Sequence, residues 1–433
     1  MKLSIIVIGD ELLNGQVTDT NSGEIARIIG SAGWTVDSVR TVRDNADAIR
    51  DAVLCAFRNT DIVLTTGGLG PTKDDITKSV LCEIFGGELR FDRSVLQNIQ
   101  SVFEKRGLAL NDLTRDQALV PTSCRVIQNR VGTAPIMWFE KTSQPSDNDI
   151  PDTPKLLVAL PGVPFEMRQM FREEVFPQLL ERFPSDTFYA NRTVIVVGLS
   201  ESAVAMQLEQ WEESLPDGYH LAYLPAPGLI RLRVDGISTD ADELNVTLTR
   251  LKDELIERFR QHLLCDGDYT VSQALLDIMR RCGLRLAVAE SCTGGNISRL
   301  ITENAGCSDI FLGSVVSYSN EAKMNLLGVR QETLAACGAV SEEVVRQMAD
   351  GAARVMGADC AIATSGIAGP TGAVPGKPVG TVCIGWHTPQ GTFAATFRFP
   401  GSRDRVIERA SATAIIHLAM SLRAGGASPS RGS

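Results

Sequence analysis

The stretch Arg285-Leu286-Ala287-Val288-Ala289-Glu290-Ser291-Cys292-Thr293-Gly294-Gly295-Asn296-Ile297-Ser298 decides how the chain is read. Residues 285–289 make a short apolar run of the kind that forms a buried strand. Glycines 294 and 295 then turn the chain, and 296–301 has helical spacing. Strand, tight turn and helix lift a side chain to the carboxyl edge of a sheet. The same geometry aims free backbone N–H groups at whatever binds there. Ser291 in such a turn is either an attacking oxygen beside an oxyanion site or a helix cap.

A second stretch bears on that choice. Phe311 to Val316 reads as another strand, and Ser317-Tyr318-Ser319-Asn320-Glu321-Ala322-Lys323 leaves it for a helix. Ser319 or Asn320 suits the N-cap, and Glu321 suits the positive end of the helix dipole. Lys323 sits near that same end, where an ammonium is disfavoured, and partial burial lowers its pKa further. A neutral lysine can take the proton of a serine hydroxyl; a solvated surface lysine is the plain alternative. Tyr318 is a wall of the same pocket or ordinary packing.

Six motifs follow in order: AESCTGG (289–295), SYSNEAK (317–323), LLGV (326–329), GAVSEE (338–343), TSGIAGPTG (364–372) and KPVGTV (377–382). Together, from about 270 to 420, they resemble the nicotinamide-nucleotide amidohydrolase domain of the CinA family. The resemblance implies a Ser/Lys amidohydrolase that converts nicotinamide mononucleotide to nicotinic acid mononucleotide and ammonia, with no cofactor. It implies Ser291 as nucleophile, Lys323 as base and Tyr318 as the hydroxyl assisting them. Thr293, Gly294 and Gly295 would form the oxyanion and substrate turn. Ser365, where the family usually has Thr, would line the substrate pocket with Gly366, Gly369 and Arg403. A Walker loop at Gly376-Lys377 is excluded, because Pro378 stands where Ser or Thr is required and Thr371 replaces the first glycine.

Composition bounds the rest. A chain of 433 residues is too long for one ordinary domain. Apolar content of 44% with 22% charged residues describes globular material. A net charge of −10 argues against nucleic acid as partner. Ten cysteines without a CxxC pair, and only four histidines, argue for reduced thiols in a cytoplasm rather than a zinc site or disulfide framework. The apolar run that opens at Met1 is too short to span a membrane.

Residues 1–180 read as a first α/β domain. Its strands fall at 3–8, 61–65 and 155–160, with a polar, proline-bearing loop expected between Thr142 and Pro154. GDELLNGQVTDTNS (9–22), TTGGLGPTKDD (65–75) and PGVPFEM (161–167) resemble the CinA N-terminal domain, which is similar to the molybdopterin-binding fold. The resemblance implies a pocket of Asp10, Glu11, Asn14, Asp19, Asn21, Gly67, Gly68, Thr72, Asp74, Asp75 and Glu166. In some family members that domain is an ADP-ribose pyrophosphatase needing a divalent metal (Mg, Mn or Co). Glycines let backbone approach an anion, and Asp74 with Asp75 can hold such a cation against phosphates. A nucleotide-binding module without chemistry is the alternative.

Residues 181–264 read as a small α/β module resembling a KH domain, with a charged helix expected over 247–262. No glycine clamp with basic flanks is present, so RNA binding is not expected. Residues 265–423 form the third domain, and the Gly/Ser-rich 424–433 is an expected disordered tail. The reading is therefore α/β with three domains: molybdopterin-binding-like, KH-like and amidohydrolase. The expected partners are small-molecule nucleotides and a second copy in a homodimer, with no nucleic acid and no membrane.

Overall fold

The computed structural model describes residues 2–72, 75–141 and 155–424. It divides the chain into two compact units, Met1–Ala190 and Asn191–Ser433. The loop 142–154, the tail from 425 and Asp74 lie outside the described residues.

In the first unit a six-stranded sheet runs in the order Val36–Val42, Leu3–Ile8, Ile62–Thr66, Lys155–Leu160, Ile136–Lys141, Arg125–Ile127. The first four strands are parallel and the last two antiparallel. Leu3–Ile8 is buried along its whole length, as a parallel strand covered on both faces must be. Alternate residues feed two cores. Leu3, Ile5 and Val7 meet Ile25, Ile28 and Ile29 of the helix Asn21–Gly30. Ile6 and Ile8 meet Ile49, Val53 and Phe57 of the helix Ala46–Asn59. Before the helix Asn21–Gly30 the Asp19 carboxylate accepts the amides of Asn21 and Ser22.

The second unit holds two sheets. The four-stranded one is ordered Tyr219–Ala226, Leu229–Ser238, Phe188–Val197, Leu263–Asp266, with the helices Glu201–Glu213 and Ala241–Arg258. The charged helix starts earlier than its apolar spacing indicates, because Asp240 caps it through the amides of Asp242 and Glu243. The five-stranded sheet is ordered Phe311–Val316, Leu286–Glu290, Cys360–Gly366, Thr381–Thr388, Gly391–Arg398. Its first three strands are parallel and its last two antiparallel.

The two faces of this sheet differ in size of side chain. Leu286, Val288 and Ile362 pack beneath the helices Val271–Cys282 and Arg403–Ala424. Ala287, Ala289, Ala361 and Ala363 face the helix Glu342–Met356. Small residues let that helix come close: a Cβ on Gly385 would lie 2.5 Å from the Val345 carbonyl oxygen. The four-stranded and five-stranded sheets share one core, since Ile195, Val197, Leu229 and Leu264 cluster with Ile415 and Ile416. Among the described residues these three sheets and a two-stranded one, Leu89–Phe91 with Leu119–Pro121, make two compact units. Among the described residues no helix is long and apolar enough to cross a membrane.

Candidate active site

Ser291 leaves the strand Leu286–Glu290 at the sheet's carboxyl edge, between two parallel neighbours. Its amide donates to the Thr364 carbonyl at 3.0 Å, which ties the turn to the next strand. Gly294 (φ 61°) and Gly295 (φ 101°) are both left-handed, which a side chain would oppose. The helix Asn296–Thr302 follows.

Lys323 arrives from the other neighbouring strand. Ser319 caps the helix Asn320–Leu327 by accepting the Ala322 amide at 3.1 Å, which places Lys323 one turn in. The lysine is 1% exposed. Its Nζ lies 3.1 Å from Ser291 Oγ, 2.8 Å from the Ser317 carbonyl and 3.4 Å from the Tyr318 carbonyl. Burial pulls its pKa below the ordinary lysine value. No carboxylate pairs with it among the described residues; the Cys292 thiol is the charge that opposes that burial. In the neutral amine, the two carbonyls can only accept, so they fix the two N–H bonds. The lone pair is left facing Ser291 Oγ, whose O–H then donates to Nζ.

Cys292 is the wrong nucleophile despite its position. Burial pushes its thiol up to about 12, which empties the thiolate state.

Several residues expected at this site are brought together, and several have other work. Gly294 N–H donates to the Ser291 carbonyl at 3.2 Å, and Gly295 N–H donates to Glu290 Oε2 at 3.0 Å. Neither is free to hold an oxyanion, which corrects the expectation for both. Among the described residues the Thr293 amide meets no acceptor and the Cys292 amide meets only its own weakly accepting thiol, so the donor pair moves one residue back. Thr293 Oγ1 bonds Thr364 Oγ1 at 2.7 Å, pinning the turn from below.

Ser365 Oγ donates to the Ala339 carbonyl at 2.7 Å, so this hydroxyl holds the GAVSEE loop. Gly366 is needed for strand packing: a Cβ would lie 2.8 Å from both the Thr381 carbonyl oxygen and Val382 Cγ2. Tyr318 is 64% exposed, and its hydroxyl accepts from Arg403 Nη2 at 3.1 Å rather than touching Ser291 or Lys323. Arg403 Nη1 donates to the Gly369 carbonyl at 2.8 Å. Arg403, Tyr318 and Gly369 thus form one wall.

Glu290 escaped the sequence reading. It is fully buried, and its carboxylate accepts from the amides of Gly295, Ile297 and Ser298 and from Ser298 Oγ. Caps are sought just before a helix, and this one comes from the preceding strand.

The first unit holds a pocket of about 690 Å³ at the carboxyl ends of its parallel strands. Asp10, Glu11, Asp19, Asn21, Gly67, Gly68, Thr72, Asp75 and Glu166 line it as expected. Asn14 does not; it ends the helix Asp10–Leu13 with its amide on the Asp10 carbonyl. A Cβ on Gly67 (φ 105°) would overlap the Ile8 carbonyl oxygen, so only glycine permits this approach. Asp44 was missed. Burial, and then the carboxylates of Glu11, Asp10 and Asp75, raise its pKa against the Asp10 amide.

Of the two carboxylates expected to hold a divalent metal, Asp75 is engaged by its own loop. Asp75 closes the glycine loop: Oδ1 accepts Gly70 N–H at 2.7 Å, and Oδ2 accepts Thr72 N–H at 2.9 Å and Thr72 Oγ1 at 2.5 Å. Among the described residues no group of three or more potential ligands converges on one point. Asp74, its expected partner, lies outside them.

The fold and the site define an α/β protein with a buried, carboxylate-free serine–lysine pair at a strand end. The family model "CinA C-terminal domain" matches residues 268–422, and "Probable molybdopterin binding domain" matches 4–181. A CinA-like protein of Flavobacterium psychrophilum is 37% identical over 420 residues, 95% of this chain and 96% of the relative. A CinA-like protein of Cytophaga hutchinsonii is 37% identical over 418 residues, 96% of each. A crystal structure of a competence-damaged protein (CinA) superfamily protein from Klebsiella pneumoniae is 38% identical, covering 36% of this chain and 96% of its own, with a TM-score of 0.35. The chain belongs to the CinA family.

Proposed function

We propose that the second unit hydrolyses the carboxamide of nicotinamide mononucleotide, giving nicotinic acid mononucleotide and ammonia. The observation that carries this reading is the 3.1 Å contact between Lys323 Nζ and Ser291 Oγ, with no carboxylate on the amine. Ser291 Oγ attacks the amide carbon while its proton passes to Lys323. The amides of Cys292 and Thr293 receive the developing oxyanion, each such donor contributing about 2.7–4 kcal/mol. The C–N bond breaks as Lys323 returns the proton to the leaving nitrogen, and ammonia departs. Water then attacks the Ser291 ester, again losing a proton to Lys323, and the acid leaves with the serine restored. At the mouth, Arg403 has N–H groups beyond those on Gly369 and Tyr318, suited to the nucleotide's phosphate.

For the first unit we propose a nucleotide-binding role, supported by the glycine-lined pocket at the strand ends. No hydrolytic step is assigned there. One assay separates the readings: ammonia from nicotinamide mononucleotide and AMP from ADP-ribose, each with and without a chelator. Ammonia release insensitive to chelation supports the Ser/Lys reading. AMP release alone, abolished by chelation, overturns it.

A further inference from the structure

A fully buried carboxylate next to a nucleophile needs a reason, because removing it from water is costly unless every oxygen is satisfied. Glu290 is 0% exposed and directly precedes Ser291. Its Oε2 accepts the amides of Gly295 and Ile297, both at 3.0 Å. Its Oε1 accepts the Ser298 amide at 3.0 Å and Ser298 Oγ at 2.6 Å. Four donors converge on one anion, and charge-assisted bonds of this kind are the strong ones.

The consequence lies in what the remaining amides can do. Asn296 N–H takes the Thr293 carbonyl and Gly294 N–H takes the Ser291 carbonyl. With Glu290 holding three more, every amide from 294 to 298 is engaged. The two left for a substrate are those of Thr293 and of Cys292, which otherwise meets only its own thiol, the residues that directly follow Ser291. The carboxylate also takes the helix's first-turn donors, so no part of an anionic substrate is drawn below the turn. Substrate phosphate is left to Arg403. Among the described residues Glu290 forms no ion pair with Lys323, whose Nζ meets Ser291 Oγ and two backbone carbonyls.

Resting on the amidase reading above, we propose that Glu290 is a positioning residue: it locks the 291–298 turn from inside and so sets the Cys292 and Thr293 amides for the oxyanion. It touches neither substrate nor Lys323. Its effect belongs in kcat, not in substrate affinity.

The test uses the full chain. Glu290→Gln keeps the shape but turns an NH2 toward the amides it should accept. With folding monitored by circular dichroism at a temperature where both proteins are native, kcat for ammonia release is expected to fall about 10²-fold. KM should stay within about three-fold. Labelling of Ser291 by a fluorophosphonate, whose phosphoryl oxygen uses the same donors, should slow in parallel. A Glu290→Gln variant with wild-type kcat and labelling rate, whatever its melting temperature, overturns the proposal. If that variant does not fold, Ser298→Ala removes the hydroxyl donor alone and is expected to lower kcat about three-fold or more with KM unchanged; wild-type kcat overturns it. A wild-type chain that releases no ammonia would refute the amidase reading, while the labelling comparison would still decide the role of Glu290.

Discussion

Lys323 meets Ser291 from the helix that follows the adjacent parallel strand, Nζ to Oγ at 3.1 Å, and its other hydrogen-bond partners are two backbone carbonyls. An ammonium in that position would sit buried, near a helix N-terminus, with no counter-charge. The arrangement favours the amine.

Lys323→Met should lower kcat/KM for ammonia release by about 10²–10⁴-fold, the usual contribution of a general base. Lys323→Arg should be inactive at every pH, since a guanidinium does not give up its proton. Steady-state assays of the two variants check both.

The pH profile follows from the same burial. Activity needs the neutral amine, so kcat/KM should rise with pH through an inflection below 10.5, the ordinary lysine value. Stability has a matching sign. The folded pKa lies below the unfolded one, so the unfolded chain binds more protons between the two values. The destabilisation from Lys323 is therefore absent above 10.5, grows as pH falls to the folded pKa, and is constant below it. Relative to wild type, Lys323→Met should gain more stability at pH 7 than at alkaline pH. Denaturant melts at pH 7 and at a pH near the ordinary lysine value measure this.

Tyr318 and Arg403 should behave as one wall. Tyr318→Phe removes a single neutral acceptor and should raise KM by about 2- to 13-fold, with kcat little changed. Arg403→Ala should raise KM more. A drop in kcat alone for Tyr318→Phe would return the phenol to the proton path.

Thr293→Val keeps the Thr293 amide but removes a hydroxyl bonded at 2.7 Å to the fully buried Thr364 Oγ1. It should destabilise the fold by about 1–3 kcal/mol while largely preserving kcat per folded molecule. Thermal melts beside ammonia assays separate the two effects.

Much of this site was legible. The apolar run ending at Ser291, the paired glycines and the strand-to-helix passage at Lys323 are all local patterns, and local patterns survive folding. What was not legible depends on reach across the fold. Glu290 caps a helix from the strand before it, and Asp75 closes the glycine loop that precedes it. Ser365 and Gly366 serve neighbouring backbone rather than ligand. The apolar stripe on Arg403–Ala424 announces a buried face, but not that Ile415 and Ile416 would meet the four-stranded sheet as well as the five-stranded one.

The most direct measurement is ammonia release from nicotinamide mononucleotide by the wild-type chain and by Ser291→Ala, assayed together with both shown to be folded. The account predicts release by the first and none above background by the second. Release by Ser291→Ala at the wild-type rate would contradict it.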